Sequence, residues 1–139
     1  MARSSHRAGN DRGLINVAIA RFSAIGDVAM TVPVVYSVCR TYPDVRFVFV
    51  TRRTMAGIFV NPPANLALVG VDLKTDYVGV AGMRRLADEL CRNYDIDFFV
   101  DLHDVLRTRM LRIFWRLSGI KSRAIHKGKA HKQALTRRY

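Results

Sequence analysis

Residues 14–28 read LINVAIARFSAIGDV, and this stretch decides the fold class. The apolar run over 14–20 carries Ile and Val and predicts a strand buried on both faces. A polar turn follows, and an amphipathic segment begins at Asp27, which indicates a strand-to-helix turn. The turn lacks the GxxxxGK[ST] and GxGxxG patterns of nucleotide-binding turns, and an acid follows its single glycine. We therefore expect the turn to do something other than hold a nucleotide phosphate.

Strand-like and helical segments alternate along the rest of the chain. Apolar, β-branched runs predict further strands over 45–51, 66–72 and 96–102, and a short fifth strand over 122–126. Helical spacing predicts helices over 27–42, 82–94 and 104–119. In the last helix we expect Trp115 to pack in the core, with an inward face made of Val105, Leu106, Met110, Ile113, Phe114 and Leu117. The alternation predicts an α/β fold, a Rossmann-like parallel sheet with helices on both faces.

The length of 139 residues suits one domain, which we place at residues 14–126. Residues 1–13 are polar and without an apolar signal-peptide core, so we interpret them as a disordered lead-in. Residues 127–139 form a basic tail. Cys39 and Cys91 are unclustered and lie in apolar helical segments, which favours two buried reduced thiols over a disulfide or a metal site.

The positive charge is concentrated at one end of the chain. The sequence has 23 Lys and Arg against 11 Asp and Glu, and residues 105–139 hold 11 of the cations and none of the acids. Such a segment indicates an anionic partner, which could be a phosphorylated ligand, a lipid headgroup or nucleic acid.

Ligands of open parallel sheets bind beyond the carboxyl ends of the strands, where the strand order reverses. If the order is 3-2-1-4-5, the turns after the first and fourth strands face each other across one crevice. The polar residues of this crevice would be Ser23, Asp27, Asp101, His103, Asp104, Arg107 and Arg109. A carboxylate beside a cationic cluster suits a polyanionic ligand from which a hydroxyl proton must be removed.

Structural roles compete with binding or catalysis at each position. The alternatives are a helix cap for Asp27, a turn contact for Ser23, a hydrogen-bonded strand end for His103, ordering of the crevice for Asp101, and a solvated helix face for Arg107 and Arg109. The helix N-terminus and a nearby arginine would both keep Asp27 ionised. Desolvation would then be needed to raise its pKa towards working pH.

Two blocks of the chain resemble the N-terminal half of bacterial lipopolysaccharide heptosyltransferases, glycosyltransferase family 9. The family opens with a strand, a Ser-x-x-Gly-Asp-Val turn and a Thr-x-Pro helix start, which here are Ser23, Gly26, Asp27, Val28, Thr31 and Pro33. Its second block is a Tyr-Asp strand that ends in Asp and is followed by a basic residue, here Tyr94, Asp95, Asp101 and Arg107. The resemblance covers about residues 14–125.

The resemblance implies one half of a GT-B glycosyltransferase, the Rossmann-like domain that receives the acceptor. The reaction would be an inverting sugar transfer without a bound metal or cofactor, from a nucleotide-sugar donor such as ADP-heptose. Asp27 would be the general base. Substrate-binding roles would fall to Ser23, Gly26, His103, Arg107 and Arg109.

Family members are more than twice as long as this chain, so the resemblance implies that the donor-binding half is missing, with the domain truncated at 127–139. Alone, such a half should bind an acceptor and transfer nothing. The implied partners are a C-terminal donor-binding domain and a lipopolysaccharide-core acceptor, Kdo or heptose on lipid A. We expect a cytoplasmic protein that contacts the inner face of the inner membrane through its basic C-terminal segment.

The basic segment also supports a rival interpretation, a nucleic-acid- or anionic-lipid-binding module without catalysis. Residues 121–139 carry seven Lys and Arg but a single aromatic residue and no nucleic-acid motif, so nucleic acid is not favoured. A third interpretation is an inert partial domain from a disrupted gene.

Overall fold

A computed structural model of the chain describes residues 14–124. They form five strands, which are β1 (Ile15–Ala20), β2 (Val45–Arg52), β3 (Leu66–Val71), β4 (Phe98–Asp101) and β5 (Lys121–Ala124). The α-helices of this part are α1 (Ile25–Thr41), α2 (Gly79–Tyr94) and α3 (Leu106–Leu117), and a 3-10 helix spans Arg53–Ile58. The predicted lead-in over 1–13, the tail over 127–139 and the end of the predicted fifth strand lie outside the described residues.

All strand pairs in the sheet are parallel, and the strand order is β3-β2-β1-β4-β5. The predicted α/β Rossmann-like fold and the expected order are therefore confirmed. Central strand β1 pairs with β2 on one side and with β4 on the other, with Ala20 opposite Asp101. The strand order reverses between β1 and β4, so the turns that follow these two strands lie at the same edge of the sheet.

Helices cover both faces of the sheet. On one face, residues of α1 share an apolar cluster with Phe47 and Phe49 of β2. On the other face, residues of α2 and α3 belong to a second cluster that includes Val48 and Val50. Because neighbouring residues of a strand point to opposite faces, burial of both faces requires the nearly continuous apolar runs seen in the sequence. Among residues 14–124, no helix combines the length and apolar character needed to cross a membrane.

The face that helix α3 turns to the core only partly matches the prediction, because Met110 and Phe114 pack against the core cluster but other predicted residues do not. Leu106, Ile113 and Leu117 are 73%, 56% and 80% exposed, so their prediction as inward residues is wrong. Trp115 is buried, as predicted, and its indole N–H donates to the carbonyl oxygen of Ala87 at 3.0 Å. A buried indole needs such a partner, and the helix therefore orients by its tryptophan. The remaining buried residues of α3 are Thr108 and Leu111.

The second helix begins earlier than the sequence spacing predicts, at Gly79 instead of Gly82. Gly82 is buried, and a Cβ placed there would lie 2.3 Å from the backbone carbonyl carbon of Tyr77. The chain before α2 therefore folds directly against the first turn of the helix, which only glycine permits.

Candidate functional site

The carboxyl ends of β1 and β4 lie side by side at the edge of the sheet where the sequence predicts a crevice. The N–H of Leu102 donates to the carbonyl oxygen of Ala20 at 3.1 Å, which extends the pairing of β1 and β4 past the last strand residue. On the other side of β1, the backbone N–H of Arg21 donates to the carbonyl oxygen of Val50 at 3.1 Å. The turn after β1 is thus held between its two neighbouring strands before it enters α1.

Asp27 lies in the first turn of α1, and its side chain is 56% exposed. Its carboxylate is 3.0 Å from a guanidinium nitrogen of Arg21 and accepts a hydrogen bond from the backbone N–H of Ala24, the N-cap residue. The hydrogen bond from Arg21, then the N–H of Ala24, then the charge of Arg21 lower the pKa of Asp27 below its ordinary value. Asp27 therefore supplies one half of a capping box and remains an accessible, ionised carboxylate.

Arg21 connects Asp27 to the neighbouring strand. Its guanidinium contacts Asp27 with one terminal nitrogen and donates from the other to the carbonyl oxygen of Leu102, just past β4. The side chain is only 17% exposed. Sequence reasoning missed this residue. The available signal was its position directly after the apolar run of β1, because a single cation at the end of a buried strand indicates an anionic or carbonyl partner nearby.

His103 lies on the β4 side of the crevice and is 9% exposed. Its Nδ1 accepts a hydrogen bond from the backbone N–H of Phe22 at 3.3 Å, and the two rings meet edge to face. In the neutral imidazole, Nε2 must then carry the proton. The hydrogen-bonded strand-end role is therefore present.

Asp101 orders the turn that leads into α3. Its side chain is fully buried, and one carboxylate oxygen accepts the N–H groups of His103 at 2.9 Å and Asp104 at 2.8 Å. The other oxygen lies 3.1 Å from Nε of Arg112, an ion pair without the alignment of a hydrogen bond. Arg112 also contacts Asp104 at 2.8 Å. The buried position and these contacts give Asp101 a structural role at the base of the crevice.

The two predicted arginines of α3 differ in their surroundings. Arg109 donates from Nε to Asp104 at 3.0 Å, and this hydrogen bond and the charge of Asp104 raise the pKa of Arg109. Arg107 is exposed, and its side chain makes no ion pair or hydrogen bond within residues 14–124. In this part of the chain, the cation that contacts Asp27 is Arg21, and neither Arg107 nor Arg109 does so.

Ser23 and Gly26 lie between Arg21 and Asp27 at the mouth of the crevice. The Ser23 hydroxyl makes no hydrogen bond to the turn among the described residues, so the turn-contact alternative has no support there. Gly26 is exposed and helical, and a Cβ built on it would meet nothing within 4 Å. The fold therefore does not require glycine at position 26. The missing side chain leaves open space beside Asp27.

No group of three or more His, Cys, Asp or Glu side chains that could hold a metal ion occurs between residues 14 and 124. The polar groups at this edge of the sheet include three carboxylates engaged by cations, one imidazole and exposed guanidinium groups. This arrangement can accept a proton at Asp27 and attract an anionic ligand.

The sheet order and the crevice between β1 and β4 define an α/β Rossmann-like fold that matches glycosyltransferases of known structure. A glycosyl transferase family 9 protein from Veillonella parvula superposes with a TM-score of 0.65 at 21% identity, over 74% of this chain and 29% of that chain. E. coli heptosyltransferase WaaC, solved with ADP, superposes with a TM-score of 0.53 at 20% identity, over 79% of this chain and 35% of that chain. The C-terminal domain of PF1911 hydrogenase from Pyrococcus furiosus superposes with a TM-score of 0.51 at 14% identity, over 80% of this chain and 90% of that chain.

These likenesses are of fold, because every identity is low. No protein-family model matches the chain, and no curated protein matches it. The chain spans 29% of the length of the family 9 structure and 35% of WaaC. The shared region is therefore about a third of each glycosyltransferase chain.

Proposed function

We propose that this chain is the acceptor-side domain of a glycosyltransferase similar to ADP-heptose:lipopolysaccharide heptosyltransferases. The observation that carries the proposal is the exposed, ionised Asp27 at the crevice between β1 and β4. The fold likeness to a family 9 glycosyltransferase and to WaaC supports it. So does the excess of positive charge in residues 105–139, a segment without acidic residues, which suits an anionic lipopolysaccharide-core acceptor.

In the proposed reaction, an acceptor hydroxyl oxygen bonds to the anomeric carbon of the donor sugar while the bond from that carbon to the diphosphate oxygen breaks. The nucleoside diphosphate leaves with the bonding electrons, the anomeric centre inverts, and the hydroxyl proton passes to the carboxylate of Asp27. Arg21 makes Asp27 a weak base by lowering its pKa. A weak base suffices when the proton leaves late, because the attacking oxygen becomes strongly acidic as its bond to carbon forms. General-base assistance of this kind contributes about 10²–10⁴-fold.

Acceptor binding would fall to the cations and small residues around Asp27. Arg107 presents an exposed guanidinium, whose fork of N–H groups suits a carboxylate or a phosphate. Arg109 keeps its terminal nitrogens for the ligand while Nε holds Asp104. The open space at Gly26 and the hydroxyl of Ser23 would receive the sugar next to the base, with His103 closing the β4 side.

The donor would require a further domain. WaaC has been solved with ADP-2-deoxy-2-fluoro heptose, and the matched region is 32% of that chain. We place the site for an ADP-heptose-like donor in a C-terminal donor-binding domain, supplied by the same or a second polypeptide. Residues 14–124 alone would bind the acceptor without transferring sugar. The acceptor would be membrane-held at the cytoplasmic face of the inner membrane.

Calorimetric titration with deacylated Kdo–lipid A tests the acceptor site. We expect saturable binding, weakened about tenfold or more by Arg107→Gln, because a charge-assisted contact is worth about 1.5–3 kcal/mol. Arg46→Gln is the matched control, since Arg46 is exposed on β2 at the opposite edge of the sheet. Equal affinity for a neutral oligosaccharide, or binding of oligonucleotides in place of the acceptor, would contradict the proposal.

The chemistry is tested by adding a donor-binding domain and measuring nucleoside diphosphate release. Asp27→Asn should reduce transfer by about 10²–10⁴-fold. It should leave acceptor affinity equal or higher, because it removes a negative charge from the crevice. Unchanged turnover in this variant would exclude Asp27 as the base.

A further inference from the structure

Buried polar atoms without a hydrogen bond collect at the carboxyl edge of the sheet. Within residues 14–124, most of them belong to residues at the ends of β1, β2 and β4, namely Arg21, Thr51, Arg52 and Asp101. Arg21 and Asp101 are nevertheless held by ion pairs. Thr51 and Arg52 are the last two residues of β2, and neither belongs to the site described above. Because buried polar groups normally have a partner, the end of β2 needs an explanation.

Arg52 carries a partly desolvated guanidinium without a counter-ion. The residue is half-buried, its Nε is shielded from solvent, and its side chain makes no hydrogen bond or ion pair among the described residues. The acids of the loop after β3 are engaged elsewhere, since Asp76 pairs with Arg53 at 3.0 Å and Asp72 accepts two backbone N–H groups of its own loop. Arginines ordinarily bury the stem and keep the charged head in water. A guanidinium that has lost part of its hydration would therefore gain from an anionic ligand.

Arg52 lies level with the predicted crevice. Continued past the last paired residues, the register of β1 with β2 and with β4 sets Phe22 between Arg52 and His103. Side chains alternate along a strand, so Arg52 lies on the same face of the sheet as Val50, where Phe22 is also buried. The rings of Phe22 and His103 meet edge to face. Neighbouring strands are about 4.8 Å apart, so the backbone of Arg52 is roughly 10 Å from that of His103.

We infer that the ligand site extends to the end of β2, where Arg52 binds a second anionic group of the ligand, a phosphate or a carboxylate. The inference rests on the proposed function, in which that ligand is the acceptor. Arg107 follows β4 and Arg52 ends β2. An acceptor that contacts both arginines must carry its anionic groups on opposite sides of Phe22 and His103. Arg52 therefore selects acceptors that are anionic at two separated positions.

Side-chain NMR of the full wild-type chain tests the contact directly. The Nε–H of Arg52 is shielded from solvent, so its proton should exchange slowly enough to give a signal, which Arg52→Gln assigns by its loss. Titration with inorganic phosphate should shift this signal saturably. The Nε–H signal of Arg53, whose side chain is 66% exposed and paired with Asp76, should move less. An Arg52 signal that ignores phosphate, or that moves no more than that of Arg53, would overturn the inference.

Calorimetry with deacylated Kdo–lipid A, before and after removal of its phosphates by a phosphatase, identifies the bound group. Arg52→Gln should bind the phosphorylated form about tenfold or more weakly, because a charge-assisted contact is lost. A loss confined to this form assigns a phosphate to Arg52, and an equal loss with both forms assigns the Kdo carboxylate.

Arg53→Gln is the matched control, since it removes the same charge from the next residue and should bind both forms like the wild type. Weakening by Arg52→Gln that is no larger than that by Arg53→Gln would be a general charge effect and would overturn the inference. A wild-type chain that binds inorganic phosphate at Arg52 but neither form of the acceptor would support the anion contact and contradict the proposed function instead.

Discussion

One guanidinium, that of Arg21, holds Asp27 at 3.0 Å and bonds the carbonyl oxygen of Leu102 at the same time. The acid of the first α1 turn is thereby fixed relative to the end of β4, on the far side of the crevice. The contact sets both the position and the pKa of Asp27. It also fills, from within the turn, the place beside Asp27 that the sequence assigned to arginines of α3.

Replacing Arg21 should raise the pKa of Asp27. In Arg21→Gln the leading hydrogen bond and the nearest positive charge are lost, and both lower the pKa in the wild type. Carbon-detected NMR titration of the side-chain carboxyl measures the change. Arg40→Gln, at the other end of the same helix, should leave the pKa of Asp27 unchanged. An Asp27 that titrates identically in wild type and Arg21→Gln would remove the basis of this assignment.

The Arg21–Asp27 pair should make stability depend on pH in the acid range. The folded-state pKa of Asp27 lies below the reference value of 3.8, so its contribution is present above that value and disappears as pH falls through the folded pKa. The difference in unfolding free energy between wild type and Asp27→Asn should therefore be constant near neutral pH and shrink below about pH 4. Urea denaturation across this range measures it. A difference in unfolding free energy that stays constant down to the lowest pH, or that grows as the pH falls, would contradict the prediction.

Gly26→Ala should increase the stability of the domain while it weakens acceptor binding. Because the position is helical, exposed and open, the substitution should stabilise the chain by about 0.5 kcal/mol. The added methyl group should nevertheless weaken binding of deacylated Kdo–lipid A if the acceptor approaches the backbone there. Gly57→Ala is the matched control, since a Cβ at Gly57 also meets nothing within 4 Å. Equal acceptor affinity in both variants would remove Gly26 from the site.

Asp101→Ala should destabilise the domain strongly. It leaves two backbone N–H groups without their acceptor and removes the buried partner of Arg112, a loss worth about 3 kcal/mol. Chemical denaturation gives the value. Asp88→Ala, on the exposed side of α2, should change the stability by less than about 0.5 kcal/mol. If Asp101→Ala lost no more stability than Asp88→Ala, the turn into α3 would not depend on the Asp101 carboxylate.

Tyr77 should titrate above an ordinary tyrosine. Burial and its hydrogen bond to Glu89 at 2.5 Å raise its pKa to about 12. The neutral form is favoured in the folded state, so this stabilisation is complete below the reference value of 10.0 and is lost as pH rises towards 12. The phenolate absorbance of wild type minus that of Tyr77→Phe isolates the transition. Glu89→Gln should move it to lower pH, and an unmoved transition would rule out the carboxylate as a cause.

The sheet could be predicted because its signals are local. Burial on both faces leaves nearly unbroken apolar runs, and the alternation of strands and helices requires parallel pairing. The acid at Asp27 could be found for the same reason, since it follows a strand within one short turn.

Contacts between distant segments could not be predicted in this way. The partner of Arg21 is a carbonyl oxygen 81 residues further along the chain, and a backbone atom leaves no mark in the sequence. The face of α3 was ambiguous because two apolar stripes repeat with the same period. A tryptophan that needs a hydrogen-bond acceptor decided between them, and that acceptor lies on α2.

The pairing of β1 with β4 also bears on the order of folding. Strands β1, β2 and β3 follow one another in sequence and can associate through short-range contacts, whereas β4 must return across almost the whole described chain to reach β1. Contacts between segments so far apart in the sequence form more slowly than local ones. A nascent or partly unfolded molecule can therefore possess three of the five described strands and still have nowhere for a ligand to bind.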